Sequence, residues 1–209
     1  MDTVPFAALD PPRYEAVRAI YEASFPARQR EPFDQLVRRA RTGGSTGLVG
    51  VLDGEPIGFA SWSVLTSVPW AFIEFVAVDA ARRGAGLGSA LWSAVLAALR
   101  THGVPRLVLE VEDSAEADDE AERLARDRRV RFYLRAGARM LPVDGYVAPN
   151  LDGTGVERFR LMWQPVTDPA PRAAQTVPDL VRALLTEGYG LPPDHPLVRA
   201  TDPSRGAGR

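Results

Sequence analysis

Cysteine does not occur in the 209 residues of this chain. Disulfides, thiolate metal sites and a covalent acyl-cysteine intermediate are therefore excluded, and the composition suits the cytoplasm. Lysine does not occur either, since all 25 basic residues are arginine. A nucleotide-triphosphate loop needs a lysine after its last glycine, so that class is excluded too. Histidine appears only at His102 and His195, and neither has the partner spacing of a metal or catalytic site. No apolar run reaches the length of a membrane span, and the start carries no cationic-then-apolar signal segment. Positive charge is not in excess: 27 acidic against 25 basic residues leave a formal charge of −2. That balance argues against nucleic acid as a partner. What is there is 45% hydrophobic, enough for one globular domain with a full core plus an extension.

The chemistry concentrates in Arg82-Arg83-Gly84-Ala85-Gly86-Leu87-Gly88. This stretch follows the apolar run 71–78, which reads as a strand buried on both faces, and precedes 89–100, which has helical periodicity. The first N–H groups of a helix have no internal partner, and the macrodipole adds positive charge there. Glycines at 84, 86 and 88 let the main chain approach a ligand and allow positive φ. A pyrophosphate is the occupant this arrangement predicts. The dinucleotide fingerprint is not met, because Ser89 or Leu91 stands where a third glycine or alanine should be.

Other elements follow from pattern. A short strand near 4–9 precedes a helix capped by Asp10, with Pro11 and Pro12 first and Tyr14, Val17, Ile20 and Tyr21 on one face. A second helix covers about 32–41, with Phe33, Leu36 and Val37 inward, and ends at Gly43-Gly44. Asp53-Gly54 joins the apolar runs 48–52 and 56–65 as a hairpin. After the turn and its helix come a strand at 106–111, parallel to the central one, and a helical segment over about 115–136. Strands near 138–143 and 157–163 complete the order.

The pattern Arg-x-x-Gly-x-Gly, at Arg83, Gly86 and Gly88 behind Phe75-Val76-Ala77-Val78-Asp79, resembles the GNAT superfamily of acyl-CoA-dependent N-acyltransferases. The order of elements over about residues 1–165 is similar to that family as well. The resemblance implies an α/β fold: a mixed central sheet of about six to seven strands, flanking helices and a splayed central parallel pair. It implies acetyl-CoA as cosubstrate, with its pyrophosphate held along Arg83, Gly84, Ala85, Gly86, Leu87, Gly88 and Ser89. The main-chain N–H of Val76 or Val78 would donate to the acyl carbonyl as charge develops. Arg131-Phe132-Tyr133-Leu134-Arg135-Ala136-Gly137-Ala138 resembles the family's Tyr-x-x-x-Gly-Phe segment, with Ala138 in place of phenylalanine. That likeness implies Tyr133 as general acid, since a phenol can donate to a leaving thiolate without being ionised at neutral pH.

Glu74 interrupts the central apolar strand, where desolvation would raise its pKa toward a useful general base. The alternative is a carboxylate at the open mouth between the splayed strands, or one paired with an arginine for structure. Glu110 and Glu112 share one face of the next strand and would bind a cationic substrate, or stand as solvated strand-end charges. Between Glu110 and Tyr133 lie 22 residues, more than compact members carry, with Asp119–Arg123, Glu122–Arg126 and Asp127–Arg131 spaced for pairing along a helix. The asparagine often found there in the family is absent. Beyond residue 165, a proline-rich linker leads to Thr176-x-x-Asp179, a capping-box signature for a short helix over about 177–187. Its apolar face, Val177, Leu180, Val181, Leu184 and Leu185, must dock on the catalytic domain or on a second subunit. Residues 200–209 read as a disordered tail. The expected activity is acetyl transfer to a small-molecule or peptide primary amine in the cytoplasm, without metal, nucleic acid or membrane, and with a homodimer open. A non-catalytic coenzyme A-binding module is the alternative.

Overall fold

A computed structural model describes residues 1–167 and 176–201, so most of the expected linker and tail lies outside the described residues. The chain divides into two units: residues 1–63, 73–103 and 150–154 form the first, and 64–72, 104–149 and 155 onward form the second.

In the first unit, β1 (Asp2–Pro5), β2 (Thr46–Leu52), β3 (Glu55–Val64) and β4 (Trp70–Val78) follow one another across the sheet. The expected first strand stops early, because 6–8 turn as a 3-10 segment that buries Phe6. Helix α1 (Pro11–Ser24) starts where Asp10 accepts from the Arg13 N–H at 3.0 Å, with proline in its first turn. Its buried stripe is Val17, Ile20 and Tyr21. Helix α2 (Phe33–Thr42) buries Phe33, Leu36 and Val37 and ends on Gly43 at φ 83°. These side chains meet Val49, Phe59, Phe75 and Ala77 in one core. The β2–β3 hairpin turns through Asp53 and Gly54, at φ 53° and 85°, as a type I′ turn requires. Gly58 is forced: a Cβ there would lie 2.5 Å from the Ala77 carbonyl oxygen. After β4 comes helix α3 (Leu87–Thr101), whose Leu91, Trp92, Val95, Leu96 and Leu99 are buried at helical spacing.

The second unit holds the start of β4, then β5 (Arg106–Glu112), β8 (Val156–Pro165) and β6 (Arg139–Met140), with β7 (Val147–Pro149) also pairing β8. β5 runs parallel to β4, and β5 and β8 are antiparallel over seven residue pairs. Among the described residues the sheet thus has eight strands, where about six to seven are expected, because the short β7 has no hydrophobic alternation to announce it. β6 is only two residues long: Leu141 N–H still bonds Leu161, but the chain then turns away at Val143. The expected 115–136 helix is broken. A 3-10 turn (Ser114–Glu116) precedes helix α4 (Glu120–Arg135), because Asp119 accepts from Glu122 N–H at 2.8 Å and sets the start there. That use of Asp119 changes the charge pattern. Arg123 pairs instead with Glu120 (2.6 Å) and Asp127 (3.3 Å), while Glu122–Arg126 forms as spaced (2.9 Å).

Helix α5 (Val177–Ala183) begins with a reciprocal capping box between Thr176 and Asp179 and passes into a π turn at Leu184–Gly188. A last short helix, α6 (Pro196–Arg199), follows. Leu180, Ala183, Leu184 and Leu185 join Leu65, Val68, Trp70, Phe72, Val108 and Leu161 in the second unit's core. Glu187 fastens this segment to the loop after β3: its carboxylate accepts from Thr66 Oγ1 (2.8 Å), from Ser67 N–H (3.1 Å) and from the Ser67 hydroxyl.

Candidate functional site

The glycine turn lies exposed in the first unit. Arg83 donates through Nε to the Val78 carbonyl at 3.3 Å, folding the side chain back against the end of β4. Gly84 and Gly86 have φ of 91° and 75°, and a Cβ at either would meet nothing within 4 Å. Gly86 is the N-cap of α3 and no side chain caps that end. The ladder begins with Ala90 N–H to the Gly86 carbonyl at 3.0 Å, so the amides of Leu87, Gly88 and Ser89 precede it. Gly88 differs from expectation: it is helical, not at positive φ, so its contribution is the missing side chain alone. Open space, left-handed glycines and unladdered amides fit the diphosphate of a coenzyme A molecule.

Strand β4 is buried on both faces only at first. From Ile73 on it alternates, with Phe75 and Ala77 in the core and Glu74, Val76 and Val78 on the less buried face. The Glu74 carboxyl is 5% exposed and takes two bonds of 3.0 Å from Arg39, one from each terminal nitrogen. Arg39 also binds Glu31 at 2.5 Å, and the Ser61 hydroxyl donates to Glu74 at 3.4 Å. Burial keeps the Glu74 pKa raised, with the Arg39 guanidinium pulling it only partway back. The arginine pair named among the alternatives for Glu74 is present in the structure. Nothing in the sequence connects Arg39 to Glu74, 35 positions away.

Tyr133 sits in the second unit on the last turn of α4, ahead of Gly137 at φ 97°. It is buried, and burial pushes its phenol up to about 12 against the lowering effect of the Arg129 charge. Arg129 also makes an ion pair with Glu112, so Glu112, Arg129 and Tyr133 are linked through one guanidinium. Glu110 and Glu112 therefore part company. The Glu110 carboxyl accepts from the Tyr146 hydroxyl and from the Tyr189 hydroxyl, each at 2.5 Å and each on a different oxygen. Burial lifts its pKa to about 7, with the two phenols lowering it and Glu157 adding to the rise. The solvated strand-end alternative does not describe it. Tyr146 and Tyr189 escape sequence reasoning because they lie 36 and 79 positions from Glu110. The available signal was an aromatic set beside glycine in each case, Gly145-Tyr146 and Gly188-Tyr189-Gly190. His102 and His195 act locally, on the Ala98 carbonyl and the Leu197 amide. Among the described residues no group of three or more His, Cys, Asp or Glu could hold a metal ion, and no helix is long and apolar enough to cross a membrane.

Fold and turn together define an α/β protein with a glycine turn and unladdered main-chain amides between a central strand and a helix. The chain belongs to the acetyltransferase (GNAT) family, whose model matches residues 14–137. No curated protein matches it in sequence. Solved structures share the fold. A GNAT-family protein of Bacteroides thetaiotaomicron superposes with a TM-score of 0.72 at 23% identity, over 92% of this chain and 100% of that one. An aminoglycoside 6'-N-acetyltransferase complexed with coenzyme A gives 0.62 at 16% identity, over 83% and 99%. The ribosomal-protein-S18-alanine N-acetyltransferase of Escherichia coli gives 0.55 at 19% identity, over 83% and 100%.

Proposed function

We propose that this chain is a cytoplasmic acetyltransferase that moves an acetyl group from acetyl-CoA to a primary amine by direct attack within one ternary complex. Residues 1–165 would carry the activity, and the segment from 166 would extend it. The observation that carries the reading is the cradle before α3. The amides of Leu87, Gly88 and Ser89 precede the helix ladder, and Gly84 and Gly86 leave room where side chains would stand. Acetyl-CoA supplies an activated acyl group as a thioester. The backbone from Arg83 to Ser89 would hold its diphosphate, and the N–H of Val76 or Val78 would meet the acyl oxygen. Tyr133 would donate to the leaving sulfur. Held at about 12, its O–H stays intact across the neutral range. Full transfer to a thiolate of ordinary basicity, about 8.5, is uphill, so its main contribution is a hydrogen bond while charge builds. Most of the rate would come from holding amine and thioester together.

Two measurements test this. Calorimetry should detect coenzyme A and acetyl-CoA binding, and a thiol-release screen with amines, amino acids and peptides should find turnover. Tyr133→Phe should lower turnover about 100-fold and leave coenzyme A affinity unchanged. Binding without turnover against any amine would favour a coenzyme A-binding module instead. No heat with either thiol or thioester would end the proposal.

A further inference from the structure

Helix α4 and the two residues before it are divided by charge. Residues 118–127 carry five acids and two arginines, a net charge of −3. Residues 128–135 carry four arginines and no acid, and of these Arg129 is paired with Glu112. Arg128, Arg131 and Arg135 are exposed, and among the described residues no carboxylate pairs with any of them. The acid spaced for Arg131, Asp127, is held by Arg123 at 3.3 Å instead. The helix dipole accounts for the sign of each half, but not for the crowding. Arg128 and Arg131 stand three positions apart and Arg131 and Arg135 four, spacings at which like charges repel. At 3.6 residues per turn, Glu120, Leu124 and these three arginines fall along one stripe. The opposite side of the helix carries the buried Arg126 and Tyr133, so the stripe faces outward. Leu124, between the acidic start and the arginines, is 38% exposed.

We propose that this stripe is a homodimer surface: a second copy of the chain lies antiparallel on it, with Leu124 against its own counterpart on a twofold axis. A twofold contact is self-complementary, so each pairing occurs twice, once on either side of the axis. In that register Arg128 of one copy faces Glu120 of the other. Arg131 comes opposite the start of the helix, where Asp118 is exposed and makes no ion pair within its own chain. The three arginines left without a partner thus meet the net −3 of the acidic half. A polyanion would satisfy the arginines but would also meet Glu120 and Leu124 of the same stripe. A surface acidic at one end, basic at the other and apolar between them complements the whole of it, and a second copy offers that surface. The helix has 16 residues and is about 24 Å long. One such face is small for a protein interface, so the dimer has modest affinity, with a Kd on the order of 10 μM.

Sedimentation of the full chain in about 50 mM salt should show dimers, and about 500 mM salt should weaken association roughly tenfold by screening. Arg128→Glu combined with Arg131→Glu should be monomeric, and so should Asp118→Arg combined with Glu120→Arg. An equal mixture of these two variants should associate again, because one presents an acidic stripe and the other a basic one. Leu124→Cys introduces a single thiol into a chain without cysteine. Mild oxidation should link two copies through it, whereas Leu151→Cys, at a position 40% exposed, should stay unlinked. A wild-type chain that is monomeric at about 200 μM in low salt overturns the proposal, as does a dimer that neither double charge reversal disturbs. An unlinked Leu124→Cys whose arginines still retain it on heparin also overturns it and assigns the stripe to a polyanion. The thiol test stands by itself if a charge reversal does not fold.

Discussion

Glu74 in the first unit and Glu110 in the second are both carboxyls removed from water, yet Arg39 stands against one and the phenols of Tyr146 and Tyr189 against the other. The first arrangement closes its charge: Arg39 spans Glu31 and Glu74, and Ser61 adds a long bond. The second leaves charge outstanding. A carboxylate gripped on both oxygens by a guanidinium loses part of that pairing when it takes a proton, although burial keeps its pKa raised. One held by hydroxyls keeps its geometry in either protonation state. Position on a central strand does not by itself set how a glutamate titrates; the company it keeps decides.

The comparison can be broken most directly at Arg39. Arg39→Ala leaves Glu31 and Glu74 together without a cation, and urea unfolding at pH 7 should show a loss of about 3 kcal/mol. A cost below about 1 kcal/mol would mean that Glu74 is not dependent on its arginine. The pH dependence of stability sharpens the other side. Burial raises the folded-state pKa of Glu110 from 4.5 to about 7. Its contribution is thus complete below the unfolded value, declines as pH rises from about 4.5 to 7, and is flat above. The decline amounts to about 3 kcal/mol, and Glu110→Gln should remove it from denaturation curves recorded between pH 4.5 and 8. Tyr189→Phe should cost about 2 kcal/mol at pH 8, where its partner is ionised, and less at pH 5. The smallest effect belongs to Ser61→Ala. Its bond to Glu74 is 3.4 Å long, so the loss should be about 0.5 kcal/mol. A larger loss than that of Tyr189→Phe would reverse the contrast.

Local signals carried most of the architecture into the sequence. Asp10 before two prolines, Asp53-Gly54 and Thr176 with Asp179 each specify geometry within four residues, and each forms. The glycine turn was legible for the same reason. Competition between local options was harder to read. Asp119 could pair with Arg123 or cap a helix, and capping prevailed, which shortened the helix and moved the arginine to Glu120 and Asp127. Contacts distant in sequence were not legible. Arg39 against Glu74, and Tyr146 with Tyr189 against Glu110, join positions 35 to 79 apart. Their side chains carry no periodicity that ties them together. Sequence thus indicated the glycine turn ahead of its helix, but not which carboxylate would meet an arginine and which would meet phenols.

Residues 180–185 fill the second unit's core beside Trp70 and Phe72, and Glu187 ties down the loop at Thr66 and Ser67. A shortened version cut back to the stretch that the family model recognises, or ended after β8, would bare two large rings and several leucine-sized hollows to water. Such a product should clump during preparation, so laboratory versions need to run through at least Thr201 and carry any purification handle beyond it.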